Sequence, residues 1–166
     1  LKKYSMPIKI IPFQKQFAQA FYNLNIEWLE TYFYVEDFDK EVLSKPEKYI
    51  IGPGGHIFSA VENDIVIGTV ALMPYTENVF ELTKMAVLPD QRGKKIGQQL
   101  MQYCIDFAKE NQFDELVLYS NTILENAIYI YRKYGFIEIP MEENSPYVRG
   151  NIKMLLDLRK NDLNYL

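Results

Sequence analysis

The spacing of apolar and polar positions changes period several times along this chain, and each change marks an element. Ile8 to Ile11 reads as a short strand behind Pro7. From Phe17 the period becomes helical: Phe17, Phe21, Leu24, Trp28 and Tyr32 share one stripe, which predicts a helix with one buried face. Residues 34–49 are acidic and mixed, with a short helix expected around Asp39 to Leu43 and ended by Pro46. Strands are expected at Ile57 to Val61, Ile65 to Leu72 and Val79 to Leu88, the first two joined by a tight turn at Asn63-Asp64. Leu100, Met101, Cys104, Phe107 and Ala108 give the stripe of a helix over Gly97 to Lys109. A strand at Leu116 to Tyr119, a helix over Leu124 to Tyr134 stopped by Gly135, and strands at Phe136 to Ile139 and Ile152 to Leu158 complete the pattern.

The order β-α-(α)-β-β-β-α-β-α-β-β predicts one α/β (α+β) domain over residues 1–166. Its mixed, mostly antiparallel central sheet has six to seven strands flanked by helices. The strand at 79–88, the helix at 97–109 and the strand at 116–119 form a parallel β-α-β unit with a right-handed crossover. Strand 79–88 mixes charge into its apolar run. Strict alternation puts Glu81, Thr83, Met85 and Val87 on one face and Leu82, Lys84, Ala86 and Leu88 on the other, and neither face is cleanly apolar. A bulge near Lys84 would repair the pattern and re-aim a backbone amide; a strand buried on both faces is the alternative.

Composition narrows the function. With 166 residues, 48% of them apolar and 14% aromatic, the chain can bury a substantial core. A net charge of -4 and a pI near 5.1 argue against a nucleic-acid partner. No run approaches the roughly 18 apolar residues of a membrane span, and LKKYSMPIKII lacks the apolar core of an export signal. A single cysteine, Cys104, fits a reducing compartment and lies on a helix stripe as a core residue, so a cytoplasmic soluble protein is expected. His56 is the only histidine, and without a Cys or His cluster no metal site is expected. GPGG at 52–55 precedes a strand rather than a helix and reads as a turn.

The informative stretch is QRGKKIGQQL, residues 91–100, between a strand end and a helix start. Ligands in open α/β sheets gather at such strand ends. A helix start offers unpaired N–H groups and partial positive charge to an anion, and Gly93 and Gly97 clear side chains from those amides. Arg92, Lys94 and Lys95 add three cations that would oppose the helix dipole unless an anion joined them. A solvated helix start with turn glycines is the plainer alternative.

At this point the run MAVLPDQRGKKIGQQLM resembles the cofactor loop of the GNAT-family N-acetyltransferases, Arg/Gln-x-x-Gly-x-Gly/Ala, with Arg92 first, Gly97 last, and Lys95 where many members carry glycine. AIYIYRKYGF, residues 127–136, resembles the family's Ala-x-x-x-Tyr-x-x-x-Gly-Phe segment. The resemblance covers about Ile57 to Phe136. It implies acetyl-CoA, or another acyl-CoA, as cosubstrate, with the pyrophosphate on the amides of Arg92, Gly93, Lys94, Lys95, Ile96, Gly97 and Gln98. The pantetheine would lie along Met85, Ala86 and Val87. Tyr131 takes the family's general-acid position, with one more aromatic on the helix stripe as the alternative. Glu81 is the candidate base, directly or through a water, which partial burial would favour, with a solvated strand end as the alternative. The backbone N–H near Ala86 is the oxyanion donor. Leu124 stands where members often carry asparagine, so Asn121 and Asn126 are the candidates to reach the cofactor; for Asn121, capping the following helix is the alternative.

The implied reaction is transfer of the acyl group to a primary amine of a small molecule or peptide, by direct attack in a ternary complex, by a monomer or homodimer. The resemblance places the acceptor pocket near Trp28 to Tyr34, with Glu36, Asp37 and Asp39 suited to a cationic amine and a solvated acidic loop as the alternative, and SPYVRGNIKM could add a wall. A non-catalytic acyl-CoA-binding or regulatory module of the same fold is the rival reading, and a globular domain with no cofactor a third.

Overall fold

The structure, a computed structural model, describes residues 7–145 and 148–159. Seven strands form one sheet: β1 (Lys9–Pro12), β2 (His56–Glu62), β3 (Ile65–Thr76), β4 (Val79–Val87), β5 (Glu115–Ser120), β6 (Ile137–Ile139) and β7 (Ile152–Asp157). Their order across the sheet is β1-β2-β3-β4-β5-β7-β6. The β4–β5 pair is parallel and every other pair among the described residues is antiparallel. Four helices flank it: α1 (Ala18–Tyr32), α2 (Asp37–Ser44), α3 (Ile96–Glu110) and α4 (Glu125–Lys133).

The larger core lies on the α3 face, where Leu100, Met101, Cys104 and Ala108 meet Phe58, Leu72, Leu82, Leu116 and Met154. Gly68 on β3 sets that approach: a Cβ there would stand 3.1 Å from both Ile96 Cγ2 and Leu100 Cδ1. The smaller core lies on the other face, where Phe21 of α1 and Leu43 of α2 pack with Ile50, Ile57 and Ala71. The α1 stripe is buried only in its first half. Phe21 is 1% exposed, whereas Tyr32 is 42% exposed, so the aromatic end of the stripe runs off the core.

Turn chemistry explains most boundaries. Asn63 and Asp64 both take positive φ, 50° and 63°, the pairing a two-residue hairpin requires. α2 opens with Glu36 and Asp39 in a reciprocal capping box. One feature departs from the sequence expectation: β3 continues past Leu72 through Pro74 to Thr76, then turns tightly into β4 with Asn78 at φ 56°. α2 ends at Ser44, ahead of Pro46 as expected, and Pro46 then leads into a π-helical turn, Glu47–Ile51, that drops Ile50 into the smaller core. GPGG follows that turn and redirects the chain, with Gly54 at φ 104°.

Candidate active site

β4 and β5 pair only at Val79, Phe80 and Glu81 with Glu115, Leu116 and Val117. Both strands continue, so they diverge, and a cavity of about 450 Å³ opens between them. β4 supplies one wall from Glu81 to Val87, β5 and α4 another, and α1, α2 and the segment at Arg149 and Gly150 the rest. Beside this opening β4 carries the bulge. Thr69 is level with Ala86 and Ala71 with Thr83, so Lys84 and Met85 together oppose Val70, and Lys84 takes φ 54°. Left-handed backbone at a residue with a Cβ costs on the order of 1–3 kcal/mol, so the surrounding sheet must enforce it. The bulge repairs the face pattern. Phe80 and Leu82 before it, and Met85 and Val87 after it, all join the α3 core, while Glu81 and Lys84 belong to the cavity wall.

The loop into α3 presents its amides. Among the backbone hydrogen bonds of the described residues, none uses an N–H from Gly93 to Gln98 as donor, and the first helical bond runs from Gln99 N–H to Lys95 O at 3.0 Å. Gly93 sits at φ 86° with open space where a Cβ would be. At Gly97 a Cβ would meet Met85 Sδ at 3.5 Å, an ordinary contact. Lys95 is the N-cap of α3 in left-handed geometry, φ 61° and ψ 23°, so this departure from glycine retains a glycine-type backbone. The cations differ in their engagements. Arg92 turns away to α1, pairing with Glu27 at 2.5 Å and lying 5.5 Å from the Tyr32 ring centroid. Lys94 donates to Gln91 Oε1 at 3.1 Å. Ile96 is 1% exposed, so only its backbone faces the loop's outer side.

Of the sequence candidates, Glu81, Met85, Ala86, Val87, Arg92, Asn121, Asn126 and Tyr131 meet in the cavity wall, and Gly93 through Gln98 lie outside it. Tyr131 packs edge-on against Phe136 at 6.1 Å between centroids. Its hydroxyl makes no hydrogen bond among the described residues. Tyr131 stands in the cavity wall. Burial pushes its pKa above the ordinary phenol value and keeps the proton in place. Glu81 is 8% exposed, a buried carboxylate rather than a solvated strand end. Asn121 does not cap α4, whose N-cap is Leu124. Its side-chain oxygen accepts from Ile123 N–H at 3.0 Å and its Nδ2 donates to Arg149 O at 2.8 Å, fixing the turn ahead of the helix.

Three further groups stand in this wall: Arg149 of the SPYVRGNIKM stretch, the aromatics of the Trp28 to Tyr34 segment, and Lys84, whose side chain had no role assigned from sequence. Arg149 forms a two-pronged pair with Asp39, both contacts at 2.7 Å, and donates to Tyr34 O at 2.8 Å, so the late segment is tied to α2. Trp28, Tyr32 and Phe33 supply an aromatic wall. Lys84 lies in the wall and is acted on by Glu81, Asp39 and Arg149; burial pulls its ammonium pKa below the ordinary value. The sequence did hold a signal for Lys84, a lysine in the middle of a half-buried strand.

The acetyltransferase (GNAT) family model matches residues 19–136, which takes in α1, the diverging strands, the amide loop and Tyr131. The chain belongs to this family. Among solved structures it is similar to an acetyltransferase of the GNAT family from Staphylococcus aureus Mu50, with TM-score 0.81 at 23% identity over 92% of this chain and 100% of that one. It is also similar to the PaiA N-acetyltransferase from Thermoplasma acidophilum in complex with coenzyme A, with TM-score 0.72 at 19% identity over 92% and 99%. Among curated proteins, N-acetyltransferase 8B of Rattus norvegicus is 25% identical over 72% of this chain and 54% of its own length. The chain spans 28%, 45% and 54% of the length of three such relatives. This GNAT chain has no helix among its described residues long and apolar enough to cross a membrane.

Proposed function

We propose that the protein transfers an acetyl group from acetyl-CoA to a primary amine within a ternary complex. The observation that carries this reading is the adjacency of two half-sites. Six consecutive backbone N–H groups without acceptors among the described residues stand at the head of α3, and the wall of the cavity beside them includes both Glu81 and Tyr131. Such amides suit a pyrophosphate, and the chain's edge from Met85 to Val87 suits a pantetheine laid alongside it like a strand. Acetyl-CoA supplies an acetyl group activated as a thioester. Glu81 takes the proton of the incoming amine, directly or through a water, so that the nitrogen lone pair can form the C–N bond. The N–H near Ala86 steadies the developing oxyanion. As the C–S bond breaks, Tyr131 gives its proton to the departing thiolate. Asn121 and Asn126 complete the cofactor side, and a cytoplasmic setting belongs to the same reading.

The test is thiol release from acetyl-CoA with polyamines, amino acids, aminoglycosides and peptide N-termini as acceptors, run on wild type and Tyr131→Phe. The variant deletes a hydroxyl that makes no hydrogen bond among the described residues, so fold and CoA binding should persist. Turnover should fall about 10²- to 10⁴-fold, the range typical of a lost acid. Parental rates in the variant on every acceptor would remove Tyr131 from the mechanism. No calorimetric heat on adding acetyl-CoA to concentrated protein would remove the cofactor reading itself.

A further inference from the structure

Charge in the cavity wall is unevenly committed. Its cations are Lys84, Arg92 and Arg149, and its carboxylates are Asp39 and Glu81. Arg92 closes on Glu27, and Arg149 spends both terminal nitrogens on Asp39. Lys84 forms no ion pair and no side-chain hydrogen bond among the described residues, although desolvation weighs on it more than any neighbouring charge. A lysine kept there through an unfavourable backbone, without a committed counter-ion, has a reason to remain if the ligand brings the anion.

We infer that the acceptor amine carries its own carboxylate, held by Lys84 while the amine faces Glu81, so that the substrate class is an amino-acid-type molecule. This rests on the transferase reading above and specifies its acceptor. Lys84 and Glu81 lie on the same strand, three positions apart, and the bulge places both in the cavity wall. Asp39 and the α2 end of the pocket offer no second open cation, because Arg149 is already engaged by that carboxylate. The polarity is therefore directional: carboxylate at the bulge, amine toward Glu81. The aromatic wall of Trp28, Tyr32 and Phe33 would then receive whatever side chain the acceptor bears, and its area favours an apolar or aromatic one.

The experiment compares α-, β- and γ-amino acids with their matched carboxamides, as acceptors for wild type, Lys84→Met and Lys84→Arg. Methionine keeps the length and the Cβ, so the strain at residue 84 is unchanged. Wild type should prefer acid over amide by about ten- to hundredfold in kcat/KM, as a charge-assisted contact would give. Lys84→Met should bring that ratio close to one, and Lys84→Arg should keep most of it. In parallel, N-acetyl amino acids and N-acetyl amino amides are titrated calorimetrically into CoA-loaded protein, which reads the same discrimination without turnover. Equal use of acids and amides by wild type, or a preference that survives in Lys84→Met, overturns the inference while leaving transferase activity standing. Should no amine be acetylated, the transferase reading fails, and the inference then stands or falls on whether the acids alone bind and lose binding in Lys84→Met.

Discussion

Lys95 offers a clean separation of backbone strain from charge. It caps α3 at φ 61° and ψ 23°, a region that costs a side-chain-bearing residue on the order of 1 kcal/mol or more and costs glycine nothing. Lys95→Ala removes the ammonium and keeps the Cβ; Lys95→Gly removes both. Glycine also loosens the unfolded chain, which takes back roughly 0.5–1 kcal/mol. Relative to wild type, Lys95→Gly should thus sit between no change and about 1 kcal/mol of added stability. Lys95→Ala should be the less stable variant, because both lose the ammonium and only glycine gains the relief. For a chain of 166 residues a gap of about 1 kcal/mol moves Tm by roughly 2–4 °C, which thermal melts resolve. Both variants should lose the same electrostatic share of CoA affinity. An exposed cation is worth about 1 kcal/mol at most, or about fivefold, and that loss should shrink at high salt. Calorimetric CoA titrations at two ionic strengths measure it. If Lys95→Ala melts above Lys95→Gly, residue 95 is not strained and the account of this loop is wrong.

Two further outcomes test other parts of the molecule. Gly68→Ala places a methyl 3.1 Å from Ile96 and Leu100, so it should destabilise by about 1–3 kcal/mol in urea melts by pushing α3 off the sheet. An unaltered melt would show that α3 yields at no cost. Glu142 accepts hydrogen bonds from Tyr75 at 2.6 Å and Tyr119 at 2.8 Å and pairs with Lys153, whose ammonium is the chief reason its pKa falls to about 2. A carboxylate depressed in the folded state stabilises above its ordinary range and loses that contribution as pH falls through the lowered value. The stability gap between wild type and Glu142→Gln should therefore be full at neutral pH and shrink from pH 4.5 toward about 2; a gap independent of pH would refute the pairing.

Much of this fold could be read from local chemistry. Asn63-Asp64 carried its own hairpin, and the failure of alternation at Lys84 located the bulge, because a period of two cannot shift faces without an extra residue. What escaped was decided by tertiary context. β3 is expected from its sequence to end at Leu72, yet it runs on through Pro74 to Thr76, ahead of the turn at Asn78. Asn121 resembled a helix cap, but its oxygen is taken by Ile123 two residues on, and α4 starts only at Glu125. Arg92 read as one of three cations for an anion; its link to Glu27 spans 65 positions, and no local pattern announces it. The site separates the same way. Its strand, loop and helix came from spacing, whereas the walls donated by α1, α2 and Arg149 depend on how distant segments dock.

That docking has an evolutionary corollary. In the proposed function the pyrophosphate and pantetheine contacts come from one continuous stretch, from β4 through α3, with Asn121 and Asn126 added from beyond it, while the opposite wall comes from α1, α2 and the segment before β7. Acceptor preference can therefore drift through the outlying segments while the cofactor stretch stays under its own selection. The ion pair between Arg92 and Glu27 is where the two histories are stitched together. A lineage exchanging its α1 must bring a compatible acid at position 27 or release Arg92 into the loop, and either choice changes what the cleft holds on both sides at once.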